Sequence, residues 1–397
     1  MQPIYRSQCL FTLLAALLCA GAAHAEPIVL VRPHGENELF DATKGAEYYP
    51  KGGGTTEQFI ASGITFNITY EDVNQGFTDP VDGPSFRARF EDVLAYVADT
   101  INIPGRTLDI VMEPSQFDGT GALATAGTFY PVAPGFHTGS TLQRLNTGIK
   151  PFPGFPEIQV QVDKGFDWNV TEAPPGPGEA DFFSVLLHEV THGLGFTSLI
   201  EPDGSSSIAS GVYTVYDSLL FDAVSSLRVL GNPANPTLQT GAASLSNEDI
   251  WFDGPNAFTF YAQGSRPPIF APNPYQPGSS ISHWDIDNLV GPAVMTHVII
   301  LGVMQREYAP VDAGALIDIG YANVEAAEGE GEGEGEGEGE GEGEGEGEGE
   351  GEGEGELPGC PLLAGAKSPA SRAGGEVVLF AGMLALLAGW RDAARKP

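Results

Sequence analysis

Asp181-Phe182-Phe183-Ser184-Val185-Leu186-Leu187-His188-Glu189-Val190-Thr191-His192-Gly193-Leu194-Gly195-Phe196 is the stretch from which the rest of the chain is read. It follows a breaker, Pro174-Pro175-Gly176-Pro177-Gly178, and Asp181 has the side chain of a helix N-cap, so a helix is predicted from there to Gly193. On a helix, residues four apart project from one face a single turn apart, so His188 and His192 can meet one tetrahedral ion. Glu189 lies at the edge of that face, where its carboxylate can reach a water in an open coordination position without taking the metal itself. The apolar residues 182–187 bury the back of the helix against a sheet, and Gly193 and Gly195 let the chain stop and turn away. The plainer alternative is a core helix with two hydrogen-bonded histidines and an incidental glutamate.

Two histidines do not make a stable catalytic site, so a third ligand is required. Six residues after His192 stands Ser198, a poor ligand for zinc. The next convincing donor is His283, within Gly278-Ser279-Ser280-Ile281-Ser282-His283-Trp284-Asp285, and Val294-Met295-Thr296 follows it.

Outward from the motif, Ile64–Tyr70 alternates apolar and polar residues as a half-buried strand does, and Leu108–Met112 and Ile158–Val162 read the same way. Between the first two, Phe86, Phe90, Val93, Leu94, Val97 and Ala98 have helical spacing over residues 86–100. The N-terminal lobe, to about residue 195, thus reads strand, helix, strand, strand and motif helix. The C-terminal lobe, about 196–325, is rich in turns, with short strands expected near 213–221 and 250–252 and a last helix over 312–319. The fold class is α+β, a mixed sheet plus an active-site helix followed by an irregular lobe. Residues 26–325 form one metal-dependent hydrolase domain of roughly 300 residues, ample for a buried core.

Both ends carry targeting signals. A basic start, an apolar run and Ala23-His24-Ala25 describe a secretory signal peptide, residues 1–25. Leu18 before Cys19 argues against a lipoprotein signal. Cleavage leaves Cys360 as the sole cysteine of the mature chain, which excludes an internal disulfide. Whether the residues just after 25 form a propeptide is open at this stage. Residues 326–356 are a Glu-Gly spacer, with glutamate at every even position from 328 to 356; these fifteen charges give no core and repel one another. Residues 357–397 contain Gly359-Cys360, an apolar run from Val377 to Trp390 and then Arg391, Arg395 and Lys396, resembling a bacterial C-terminal sorting signal that a processing enzyme cuts. The apolar run is expected to enter the membrane, at least transiently, and to place the protein at the cell surface or outside it, the alternative to cleavage being a retained single-helix anchor.

Fifteen of the net −35 charges lie in the spacer, and the remaining −20 still argue against nucleic acid or an anionic membrane surface as a partner of the domain. Protein or peptide substrates and a monomeric state are expected. The many aspartates could hold calcium, yet no loop shows a recognised ligand spacing.

From His188 to Phe196 the chain has the His-Glu-x-x-His-x-x-Gly-Phe segment, a delayed histidine in a Ser-His-Trp-acid context at His283, and Val294-Met295-Thr296 where a Met-containing turn follows. In these features it resembles the leishmanolysin family of metzincins. The likeness runs from about Asp181 to Met295 and extends weakly to Asp318-Ile319-Gly320-Tyr321. It implies a zincin fold, one catalytic zinc held by His188, His192 and His283, Glu189 as general base, and Met295 as a floor beneath the metal, a position that a plain core methionine would also fill. His297 is a rival third ligand, and Asp285 could be a ligand or an orienting group for His283, or have no part in the site. Tyr308 could stabilise an oxyanion or simply pack, and His34 and His137 read as surface residues. Leishmanolysins are disulfide-rich and held latent by a propeptide cysteine; the mature chain here has neither, which excludes that form of latency. The expected activity is zinc-dependent endopeptidase cleavage. The competing class is a displayed adhesin or binding module with a structural or degenerate zinc site, which would have no use for Glu189.

Overall fold

The computed structural model describes residues 28–32, 38–40, 54–71, 76–114, 122–261, 264–324 and 376–378. The signal peptide, the Glu-Gly spacer and nearly all of the C-terminal segment lie outside the described residues, as does His34.

The protein is mixed α+β. Its main sheet contains β1 (Ile28–Val31), β2 (Glu38–Phe40), β3 (Thr55–Ala61), β4 (Ile64–Tyr70), β5 (Arg106–Pro114), β6 (Ala124–Pro131) and β8 (Ile158–Val162) in the order β2-β1-β6-β8-β5-β4-β3, while β7 (Gly135–His137) pairs elsewhere, with Val212–Thr214. Strands β4, β5 and β8 run parallel, and β1, β3 and β6 each meet their neighbours antiparallel. The parallel pair β4–β5 needs a crossover, and α1 (Gly83–Ile101) supplies it. Its apolar stripe, Phe86, Phe90, Val93, Leu94 and Val97, is buried, and Asn102 closes it in the left-handed conformation. In β4, Ile64, Phe66, Ile68 and Tyr70 alternate into the core. A short helix, α2 (Ser140–Thr147), lies between β7 and β8.

The motif helix is α3 (Phe182–Gly193). Asp181 caps it, Oδ2 accepting the Ser184 N–H at 3.0 Å. All twelve of its residues are buried. Gly193 lets the helix end lie close on the sheet: a Cβ there would stand 2.7 Å from Ile158 Cγ2. Gly195, at φ 106°, then turns the chain out of the helix.

Residues 196–324 are mostly turns, with short strands at Val212–Thr214, Leu220–Asp222 and Ile250–Phe252 and two helices, α4 (Pro255–Phe260) and α5 (Pro310–Ile319). One aromatic cluster gathers this part around the turn that leaves α3: Trp284 packs on Phe196 and Phe252, with ring centroids 5.0 and 5.6 Å apart, and Tyr216 packs on Phe196.

The strands expected at 64–70, 158–162 and 250–252 and the motif helix are found with those bounds, the strand at 108–112 and the other two helices run slightly longer, and the stretch 213–221 holds two short strands; the main sheet has four further strands, β1, β2, β3 and β6, that the alternation pattern did not reveal. Val29 and Val31 enter the main core while Ile28 and Leu30 pack with Val111, Phe129 and Phe155, so β1 is an interior strand of the fold. At the other end, the backbone of Glu376–Val378 pairs antiparallel with Val298–Ile300. Among the described residues, no helix is long and apolar enough to cross a membrane.

Candidate metal centre

Helix α3 aims His188 and His192 to one side, and the loop after Ser279 brings His283 to meet them. The three Nε2 atoms lie 3.1 Å (192 to 188), 3.1 Å (192 to 283) and 3.3 Å (283 to 188) apart, and all three rings are buried. Each Nδ1 faces a backbone carbonyl: His188 that of Val294 at 2.8 Å, His192 that of Phe196 at 2.6 Å, and His283 that of Ser279 at 2.8 Å. A carbonyl only accepts, so each Nδ1 carries the proton and each Nε2 presents a lone pair.

Three converging lone pairs repel one another unless a cation lies between them. A tetrahedral ion with metal–nitrogen bonds of 2.0–2.1 Å requires nitrogens about 3.3–3.4 Å apart. The observed triangle fits that requirement to within a few tenths of an ångström, so this buried cluster can hold a metal ion. Burial also pushes the His188 ring down to about 4, against the opposing pull of the Val294 carbonyl, which keeps it neutral and ready to ligate near pH 7.

Glu189 follows His188 on α3 and is fully buried. Its Oε2 accepts the Ala126 N–H of β6 at 2.8 Å, while Oε1 has no hydrogen-bond partner among the described residues. Burial pushes the carboxyl up to about 8, only partly offset by that amide. A divalent ion nearby would draw it back down. Oε1 is thus a buried carboxylate oxygen without a donor, on the residue next in sequence to a histidine of the cluster.

His297 is not in the triad: its ring stacks on Phe270 at 3.4 Å and its Nδ1 faces the Trp284 carbonyl at 3.2 Å. Asp285 is turned to its own loop, accepting the Asp287 N–H and the Asn288 side chain. Tyr308 is buried and its hydroxyl lies 2.6 Å from Thr191 Oγ1, so its part is to pack and tie α3. His137 is half-buried, with Nε2 against the Ala133 carbonyl. Met295 is fully buried and directly follows Val294, whose carbonyl holds His188.

Ser198, six residues after His192, ties two loops together. Its N–H donates to Ser282 Oγ and its hydroxyl to buried Asp217, tying the turn after α3 to the loop that presents His283. The backbone partners Ala126, Phe196, Ser279 and Val294 were beyond sequence reasoning, because a main-chain N–H or C=O leaves no mark in residue identity. Compared with family models, with curated proteins and with solved structures, the chain matches none.

Proposed function

We propose that the chain is an exported zinc-dependent endopeptidase, similar in its site to the leishmanolysin-like metzincins and with a zincin fold. The observation that carries this reading is the three Nε2 atoms within 3.3 Å of one another, beside a buried glutamate that does not join them. His188, His192 and His283 would hold the zinc, and Met295 would lie beneath it. When bound, zinc would supply Lewis acidity, lowering the pKa of water and polarising the scissile carbonyl.

Glu189 supplies the proton chemistry. Its Oε1 takes a proton from the attacking water as the new C–O bond forms, and gives it to the amide nitrogen as the C–N bond breaks. Ala126 holds the other oxygen, so the carboxylate keeps its aim through the cycle. Burial excludes bulk water and strengthens each of these interactions.

Zinc analysis of the purified full chain together with a casein digestion assay tests the proposal. About one zinc per chain and digestion abolished by a chelator and restored by zinc support it. Stoichiometric zinc without any digestion favours the binding module with a structural site, and a chain that takes up no zinc contradicts both.

A further inference from the structure

Asp312 lies in the first turn of α5 and is fully buried. Its carboxylate takes four N–H donors from three separate segments. The Ala309 N–H reaches Oδ2 at 3.0 Å, which closes the start of its own helix. The Val294 N–H reaches Oδ2 at 2.8 Å and the Met295 N–H reaches Oδ1 at 3.3 Å. The Trp284 indole N–H reaches Oδ1 at 2.8 Å.

A helix start needs only the first of these, and a solvent-facing acid would provide it at lower desolvation cost. The other three lead to the histidine triad. Val294 offers the carbonyl that receives His188 Nδ1–H, and Trp284 follows His283 directly and donates its own N–H to the Met295 carbonyl at 2.8 Å. One carboxylate therefore clamps both loops that set two of the three rings.

We propose that Asp312 is a positioning residue for the metal centre, setting the direction and tautomer of His188 through Val294 and the location of His283 through Trp284. The inference rests on the metal-site reading above. Asparagine cannot replace the carboxylate, since it offers a single acceptor oxygen and turns an NH2 group toward donors. Loss of such outer partners lowers metal affinity by about 10–100-fold.

The control lies on the same helix. Asp318, in the last turn of α5, accepts the Asn256 N–H at 3.0 Å, the Asn256 side chain at 2.8 Å and the Ala257 N–H at 2.8 Å, and so anchors α4. Zinc affinity of the full chain by chelator competition, and the visible spectrum after cobalt substitution, are to be measured for wild type, Asp312→Asn, Asp318→Asn and Trp284→Phe. Asp312→Asn should bind zinc about 10–100-fold more weakly with an altered cobalt spectrum, and Trp284→Phe about tenfold more weakly. Asp318→Asn should stay within about twofold of wild type whatever stability it loses. Equal affinity of Asp312→Asn and wild type, or an equal loss in Asp318→Asn, overturns the assignment. If Asp312→Asn does not fold, Trp284→Phe decides, and unchanged affinity there overturns it. A wild-type chain that binds no zinc removes the metal reading itself, an outcome distinct from these.

Discussion

Replacing Glu189 by glutamine separates catalysis from metal holding. Glutamine keeps the volume of the buried side chain, and its amide oxygen can accept the Ala126 N–H where Oε2 does now, at 2.8 Å. Its NH2 group then takes the place of Oε1, the oxygen without a partner, and cannot accept a proton. The fold and the three imidazoles are left as they are. A positioned general base contributes about 10²–10⁴ in rate, so kcat should fall by that factor, about 3–5 kcal/mol in the barrier. Casein digestion is to be followed beside zinc content in the same preparation, with wild type and His283→Ala for comparison. The expected result is stoichiometric zinc with almost no turnover. Turnover within about tenfold of wild type, with zinc bound, refutes the proton-transfer role. Loss of zinc together with turnover would show that Glu189 holds the metal instead.

His283→Ala should weaken zinc binding by more than about 100-fold, since outer partners alone account for 10–100-fold, whereas His297→Ala should leave it nearly unchanged; chelator competition reads both. Gly193→Ala sets a Cβ 2.7 Å from Ile158 Cγ2 and should cost about 1–3 kcal/mol in denaturant unfolding, less than additively when Ile158→Ala is also present. In zinc-stripped protein the Glu189 carboxyl, pushed up to about 8 in the fold against 4.5 ordinarily, binds a proton more tightly when folded than when unfolded. Its contribution to stability is therefore fully present below about pH 4.5 and lost as pH rises toward 8, a decline of at most about 5 kcal/mol. The stability difference between wild type and Glu189→Gln, measured across that range without metal, should carry this slope; a flat difference contradicts the buried-carboxyl environment.

Helix α3 was legible because its signals agree: an Asp cap, an apolar run over 182–187 broken only by Ser184, and glycines at the exit. Strand β6 was not. Its sequence, Ala-Thr-Ala-Gly-Thr-Phe-Tyr-Pro, is small where strands are usually bulky, and the reason is tertiary: a Cβ on Gly127 would meet the Val31 carbonyl oxygen at 1.8 Å. Strand β3, Thr-Thr-Glu-Gln-Phe-Ile-Ala, lies at the sheet edge and alternates only between exposed and half-buried positions, so its sequence need not alternate apolar with polar residues. In the site, the ligand histidines and Glu189 stood out by residue type and spacing. Asp312 did not, although a carboxylate inside Pro-Val-Asp-Ala-Gly-Ala-Leu-Ile-Asp-Ile is a charge in an apolar helix and so a signal in itself.

Placing Ile28–Val31 inside the sheet has a consequence for how the polypeptide assembles. Its partner in β6, Thr128–Pro131, lies about 100 residues further along, and at roughly 5–20 residues per second that interval lasts several seconds of synthesis. Until then β1 has only β2 beside it in the sheet, and no early intermediate can complete the layer on which α3 rests. Assembly is thus governed by a late, long-range closure, slow by its topology and best served by a polypeptide that begins folding only once its whole length is at hand.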